Sequence, residues 1–315
     1  AALGGWWLAR VALRPIDRLT RDAHAIGDSR DFGRRVAAPR GETPRDEVER
    51  LATTFNEMLA ELQEAYQEQE QTLASQRRFV ADASHELRTP LAIIKANLDL
   101  ALTDAQATDE SRASAAAVIR RAIDRMARLT DDLLALARLD APAAGREPVP
   151  VAALLEDARE EFAAAAGART VELEAEVVPG RIVHGDRDVL KRALTNLLDN
   201  AIRVAPPGST VRLSHGELDG WAWLAVADDG PGIAPEHRES IFDRFWRADD
   251  GRSRPGGGSG LGLAIVRQIA EAHRGSVEVF SELGAGATFV VWLPRTATGP
   301  APTLDPTVAP AAAPA

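Results

Sequence analysis

Apolar residues recur at steps of three and four through Val48, Leu51, Phe55, Met58, Leu62 and Ala65. The same rhythm continues through Leu73, Val80, Ala83, Leu87, Leu91, Ile94 and Leu98. This spacing places one narrow apolar stripe along a helix. A helix with a single narrow stripe cannot enclose a core by itself, so this half of the chain must be completed by other helices or by a second copy. Upstream, Ile16, Leu19, Ala23 and Ile26 repeat in the same way behind Pro15, which suits a first helical turn. A non-helical stretch with Gly27, Gly33, Pro39, Gly41 and Pro44 separates the two runs. Downstream, after a polar break from Thr103 to Glu110, Ile119, Ala122, Met126, Leu129, Leu133 and Leu136 form another stripe. The two later helices make a hairpin, and two copies of a hairpin make a four-helix bundle. A homodimer is therefore expected.

The pattern changes after Ala141 to Pro150, a stretch with three Pro and one Gly that reads as a linker. Val151 to Ala166, Asp188 to Val204 and Gly262 to Ala272 read as helices, and Thr170 to Val178, Val211 to Ser214 and Trp221 to Ala227 as strands. Ser276 to Phe280 and Ala287 to Leu293 read as a closing hairpin around Gly284 and Gly286. Strands and helices in this mixed order predict an α/β sandwich of about 150 residues. Thr296 to Ala315 is Pro/Ala-rich with one charged residue and is expected to be disordered.

Composition removes several functions. The 315 residues carry a formal net charge of -10, which argues against nucleic acid as a partner, since phosphate contacts need a basic surface. With no Cys, disulfides, thiolate catalysis and Cys-ligated zinc are excluded. Ala1 to Ala9 is uncharged but about half as long as a spanning helix must be. Trp6 and Trp7 followed by Arg10 and Arg14 are in the order expected where a helix leaves a bilayer on its cytoplasmic side. Residues 1–14 are thus expected to be the truncated end of a transmembrane segment.

The segment Phe79-Val80-Ala81-Asp82-Ala83-Ser84-His85-Glu86-Leu87-Arg88-Thr89-Pro90 carries the first chemistry. At about 100° per residue His85 lies roughly 160° from the Leu87 stripe, so it faces solvent. Thr89 sits one turn away on the same exposed face. Pro90 cannot donate to the carbonyl of Glu86, so a bend or loosening is expected there. An exposed imidazole beside a carboxylate can act as a nucleophile, with Glu86 holding one ring nitrogen's proton. His24, His184, His215, His237 and His273 show no metal-site spacing and read as surface or packing residues.

Four further motifs follow in order. In Asn196-Leu197-Leu198-Asp199-Asn200-Ala201-Ile202-Arg203, Asn196 and Asn200 project from one helix face and can present amide oxygens to a hard cation such as Mg²⁺, although the same pair in a bare helix also makes an ordinary solvated polar face. Arg203 and Lys191 add cationic reach. Asp228-Asp229-Gly230-Pro231-Gly232 follows a strand, and a buried carboxylate there suits the amine of adenine. Phe242-Asp243-Arg244-Phe245 comes next, then Gly258-Ser259-Gly260-Leu261-Gly262-Leu263, whose backbone N–H groups at a helix start can cradle phosphate. No G-x-G-x-x-G spacing and no Gly-Lys pair occur, so neither a Rossmann nor a P-loop site is supported.

Taken together, these motifs resemble the bacterial sensor histidine kinases of two-component systems. Pro15 and the Asp46-Glu47 pair resemble a HAMP relay, with an ordinary coiled coil as the alternative. Ser84 to Leu91 resembles the H-box, and the later motifs resemble the N, G1, F and G2 boxes of the Bergerat (GHKL) ATP-binding fold. The resemblance implies a multidomain chain: the end of a transmembrane helix at 1–14, a HAMP relay at 15–67 and a dimerisation and histidine phosphotransfer domain at 68–141. A catalytic α/β sandwich at 147–295 and a disordered tail at 296–315 complete it. It further implies that His85 accepts the γ-phosphoryl group of Mg·ATP, with Glu86 polarising it, and passes it to an Asp of a response-regulator receiver domain. Thr89 would orient water for dephosphorylating that regulator.

By the same resemblance Asn200 ligates Mg²⁺ with Asn196 beside it, and Arg203 and Lys191 touch phosphate. Asp228 reads adenine, flanked by Gly230 and Gly232. Phe242, Phe245, Gly258, Gly260 and Gly262 frame a mobile lid running from about Arg244 to Gly257. Asn196 stands where hydrolytic relatives carry a Glu base, and an amide cannot take a proton, which favours transfer over hydrolysis. Val204-Ala205 departs from the pattern by lacking an aromatic for base stacking. The implied location is the bacterial inner membrane with this part in the cytosol. A hydrolytic GHKL-type ATPase and a non-catalytic scaffold are the alternatives.

Overall fold

The computed structural model describes residues 17, 20–22, 24–28, 31–36, 46–103, 108–139, 147–247, 258–295 and 301–302. The expected transmembrane end at 1–14 lies outside them. No helix among the described residues is long and apolar enough to cross a membrane. The chain divides into two compact units, Ala1–Ala81 and Asp82–Ala315.

The long helix α1 spans Asp46–Thr103. In the first unit its stripe splits into two faces. Ala52 and Leu59 are buried with Ile26 and Val36, and Phe32 and Phe55 pack against them. The connector is tied down by Asn56, whose Oδ1 accepts from Val36 N at 2.9 Å and whose Nδ2 donates to Val36 O at 3.0 Å. Leu51, Met58 and Leu62 are left exposed on the neighbouring face.

In the second unit, the later part of α1 is followed by α2, Asp109–Leu139. The residues buried along α2 include Ala115, Ala122, Leu129 and Leu136, spaced by seven, which is a coiled-coil seam. Leu91, Leu98, Leu100, Ile123 and Leu134 remain exposed, so one hairpin leaves much apolar surface in water. α1 continues as helix through Pro90 to Thr103. A proline removes one backbone bond, and the flanking turns keep theirs.

The rest is the expected sandwich. Strand β1 (Glu147–Pro150) pairs antiparallel with β3 (Ile182–Gly185). A five-stranded sheet has the order β2-β4-β5-β7-β6, with β2 Glu172–Ala175, β4 Thr210–Leu218, β5 Trp221–Asp228, β6 Ser276–Ser281 and β7 Ala287–Pro294. Only β2 and β4 run parallel. Helices α3 (Val151–Ala168), α4 (Arg187–Val204) and α5 (Gly262–Ala272) form the second layer. Leu190, Leu194, Leu197, Leu198 and Ile202 of α4 are buried, because this is the face it turns to its neighbours.

Asp186 caps α4, its Oδ1 accepting from Asp188 N at 2.9 Å and Val189 N at 3.2 Å. β4 and β5 are joined by Asp219-Gly220, both at positive φ (50° and 81°), the two-residue turn that matches strand twist. β1 and β3 depart from the sequence reading. Two prolines make Glu147–Pro150 look like linker, yet in a two-stranded pair half the backbone N–H groups face outward and Pro is tolerated.

Candidate active site

The four late motifs converge around the C-terminal half of α4. Asn196 donates through Nδ2 to Arg192 O at 3.0 Å, leaving Oδ1 directed at Gly262, where an added Cβ would sit 3.2 Å away. One turn on, Asn200 Oδ1 accepts from Arg203 Nη2 at 3.0 Å. Arg203 also lies 3.7 Å from Asp199 Oδ2, and its Nε is buried without a hydrogen-bond partner. Gly258 lies so close to this guanidinium that a Cβ would come within 2.2 Å of Nη1. The Gly loop and the Asn helix thus touch at two points, Asn196–Gly262 and Arg203–Gly258.

Asp228 closes β5, in register with Ala287, and is 1% exposed. Its Oδ1 accepts from Gly230 N at 2.9 Å, while Oδ2 is buried without a partner. Burial pushes its carboxyl up to about 6, helped by the nearby Asp229 charge and opposed by the Gly230 amide. A buried carboxylate with an orphaned oxygen is a site for a donor, and the exocyclic amine of adenine is one. Gly230 fits between Asp228 Oδ1 and Val204, where a Cβ would approach to 2.6 and 2.9 Å. Val204 therefore lies beside the Asp228 carboxylate and offers it an aliphatic surface in place of an aromatic one. Gly232, at φ 72°, would bring a Cβ within 1.9 Å of Glu282 O.

Phe242 is buried edge-on to Phe289, ring centroids 6.2 Å apart. Phe245 adopts φ 62° and donates its N–H to Gly260 O at 2.9 Å. Gly260, at φ 75°, lies against the Phe245 backbone, where a Cβ would meet its carbonyl carbon at 2.8 Å. Residues 248–257, most of the expected lid, lie outside the described residues.

Lys191 lies on the same helix as Asn196 and is engaged by α3. Its Nζ pairs with Glu161 Oε2 of α3 at 2.7 Å, which raises its pKa. Arg203, not Lys191, is the cation joined to the Asn–Gly cluster.

His85 is exposed on α1, as expected. Thr89 Oγ1 donates to His85 O at 3.3 Å. Glu86 is held by α2: its Oε2 pairs with Arg125 Nη2 at 2.9 Å. His85, Arg88, Thr89, Ala92, Ile93 and Asn97 line a shallow groove along α1. His215 and His273 are buried packing residues: His215 Nε2 accepts from Val178 N at 3.0 Å, and His273 Nδ1 lies 2.8 Å from Ile269 O.

A contact between the hairpin and the sandwich escaped the sequence reading. Asp132 of α2 accepts from Ser259 Oγ at 3.0 Å and from Arg192 Nη2 at 3.2 Å. Burial raises its carboxyl, and the Ser259 and Arg192 bonds oppose that. Ser259 belongs to the Gly loop and Arg192 to the helix of Asn196, so one carboxylate touches both the Gly loop and the Asn helix.

Three family models match this chain. The histidine kinase-, DNA gyrase B-, and HSP90-like ATPase covers residues 185–297, the His Kinase A (phospho-acceptor) domain 75–142 and the HAMP domain 7–64. The signal transduction histidine-protein kinase BaeS of Escherichia coli (strain K12) is 36% identical over 298 residues, 93% of this chain and 60% of that protein. The signal transduction histidine-protein kinase/phosphatase MprB of Mycolicibacterium smegmatis is 36% identical over 293 residues, 91% of this chain and 56% of that protein. The chain thus spans less than two thirds of these relatives. Among solved structures, full-length ShkA in complex with AMPPNP is 34% identical with a TM-score of 0.51, covering 69% of this chain and 46% of that one. Histidine kinase ThkA in complex with response regulator protein TrrA has a TM-score of 0.60 at 20% identity, covering 74% and 66%, a likeness of fold alone.

Proposed function

The chain belongs to the bacterial two-component sensor histidine kinases, and on that footing we propose that it phosphorylates its own His85 from Mg·ATP and passes the group to an Asp of a response-regulator receiver domain. The observation that carries this reading is the orphaned Oδ2 of buried Asp228, a donor-seeking atom in a chain that also exposes His85 on a helix. Asp228 accepts from the adenine amine, while Gly230 and Gly232 let the base approach. The N–H groups of the Gly258–Gly262 loop and the Arg203 guanidinium face the phosphates. Asn200 and Asn196 would hold Mg²⁺ through their amide oxygens, hard donors that suit this cation. Mg²⁺, when bound, neutralises phosphate charge.

In the transfer, a ring nitrogen of His85 attacks the γ-phosphorus in line, and the bond to the β,γ-bridging oxygen breaks with ADP leaving. Glu86 accepts the hydrogen bond of the other ring N–H and stabilises the charge that develops on the ring. Asn196 cannot accept a proton from water, which disfavours the hydrolytic alternative. Onward, the P–N bond breaks as a carboxylate oxygen of the regulator attacks. Thr89, one turn from His85, orients water for the reverse signal, removal of the regulator's phosphoryl group; Thr89→Ala should abolish that activity and spare autophosphorylation.

The exposed Leu91, Leu98, Ile123 and Leu134 support a homodimer in which a second hairpin covers them. The domain limits at 1–14, 15–67, 68–141, 147–295 and 296–315, and a membrane anchor through the N-terminal segment, belong to the same proposal. Incubation with γ-labelled ATP should yield an acid-labile, base-stable label that disappears in His85→Gln. A label that persists in that variant overturns the assignment, and release of free phosphate without label would support hydrolysis instead.

A further inference from the structure

A sheet with helices on one face presents its other face to water unless something covers it. Here that second face is aromatic and, apart from the half-buried Trp223, dry. In the register, Trp223 lies opposite Trp292 and Ala225 opposite Val290, with Trp221 two residues before Trp223, so all five share one face. The residues between them, Leu224, Val226, Phe289 and Val291, take the opposite face. Trp292, Val290 and Ala225 are 0% exposed and Trp221 5%.

Trp223 reaches sideways across β4. A Cβ on Gly216, directly opposite, would lie 2.1 Å from Trp223 Cζ2, so the absent side chain makes room for the indole. Trp292 donates Nε1 to Glu278 Oε2 at 3.1 Å. The cluster is joined by Ala301, a residue from beyond the sheet. The chain leaves β7 on a fixed line, Arg295 N bonding Gly220 O at 3.1 Å and its side chain pairing with Glu217.

We propose that this tryptophan face is a docking site for a proline-rich segment, and that its occupant is the chain's own C-terminal segment. The sequence around Ala301 is Gly299-Pro300-Ala301-Pro302, and five prolines fall between residues 300 and 315 with Asp305 as the one charged residue. Proline and alanine lose almost no side-chain entropy when buried. Proline-rich segments are prestiffened, and aromatic grooves are the surfaces that bind them. The link from Arg295 is only five residues, so the effective concentration of the segment at the face is high and a modest contact suffices. The docked segment is a replaceable third layer on the ATP-binding domain.

Uniform 5-fluorotryptophan labelling of the whole chain gives six fluorine resonances, one per tryptophan, assigned by single Trp→Phe changes. Ending the chain after Arg295 should shift those of Trp221, Trp223 and Trp292 and give them a solvent-isotope response, leaving Trp246 unchanged. A synthetic peptide of residues 296–315 added in trans should reverse the shifts, and Ala301→Asp in the uncut chain should reproduce them. Unchanged resonances in both variants overturn the proposal. So does a shift of the same three resonances on dilution of the intact chain, which would make a second copy the cover.

Discussion

Arg125 of α2 holds the carboxylate of Glu86 at 2.9 Å, one residue from the exposed His85 of α1. The pair is about one third exposed on each side, so its net worth to stability is small, below about 1 kcal/mol. Its value lies in orientation, since a carboxylate fixed through one oxygen presents the other in a defined direction. Arg125→Ala should leave the melting temperature nearly unchanged and slow phosphohistidine formation by roughly threefold to tenfold, less than the roughly hundredfold or more of a full acid–base contribution because Arg125 acts only through Glu86. Arg125→Lys should recover part of the rate. Equal initial rates in all three chains would show that Glu86 needs no such support.

Asp228 sets stability against binding. Its carboxyl is raised from 3.8 to about 6, so the folded chain holds a proton that the unfolded chain releases between those values. Unliganded stability is therefore intact at pH 4, falls as pH rises through the window, and is lowered by about 3 kcal/mol above pH 6. Asp228→Asn should remove this penalty, stabilising the nucleotide-free protein at pH 7.5 and not at pH 4 in urea melts. The same change should abolish ATP binding. In the unaltered chain ATP affinity should drop as pH falls below 6, when the acceptor takes a proton.

Two glycines of one loop should respond differently. Gly260 has φ 75° and lies against the Phe245 backbone, so Gly260→Ala is strained in both respects and should cost about 1–3 kcal/mol. Gly258→Ala meets only the tip of the Arg203 side chain, which can move. It should leave stability within about 0.5 kcal/mol and weaken nucleotide binding several-fold. Calorimetric melts and a nucleotide titration on both variants check the contrast.

Asp132 should control the mobility of the Gly loop. Asp132→Ala removes the acceptor of Ser259 and one of two acceptors of Arg192, which keeps Asp131 O, and hydrogen exchange should rise in residues 258–262 and at the start of α5. Asp132→Asn, which keeps an acceptor oxygen, should show a smaller rise. Exchange unchanged in the alanine variant would mean that other contacts hold the loop.

The sequence was most legible where a motif coincides with an element boundary. Asp228-x-Gly230-x-Gly232 ends a strand, Gly262 opens a helix, and Asn196 and Asn200 share a helix face; local chemistry decides all three. The Asp219-Gly220 turn likewise belongs to its own two residues. What stayed hidden is non-local. Glu86 and Arg125 are on different helices, as are Lys191 and Glu161, and no periodicity announces which charges will meet. Asp132 reads as one more surface carboxylate until the fold brings Ser259 to it. The apolar stripe of α1 was visible, but its division between Ala52 and Leu59 on one side and Leu51 and Met58 on the other depends on where the connector lies.

The strand order β2-β4-β5-β7-β6 has a consequence for how the domain is made. β4 and β5 are joined by a two-residue turn, and β6 and β7 are neighbours in sequence, so each pair zips locally and fast. The seam between β5 and β7, from Trp221–Pro294 to Asp228–Ala287, joins strands made far apart in time. During synthesis the first hairpin must wait with the β5 edge and its tryptophans uncovered until residues 287–294 emerge. That interval is when the nascent chain is most open to wrong partners and to chaperone capture.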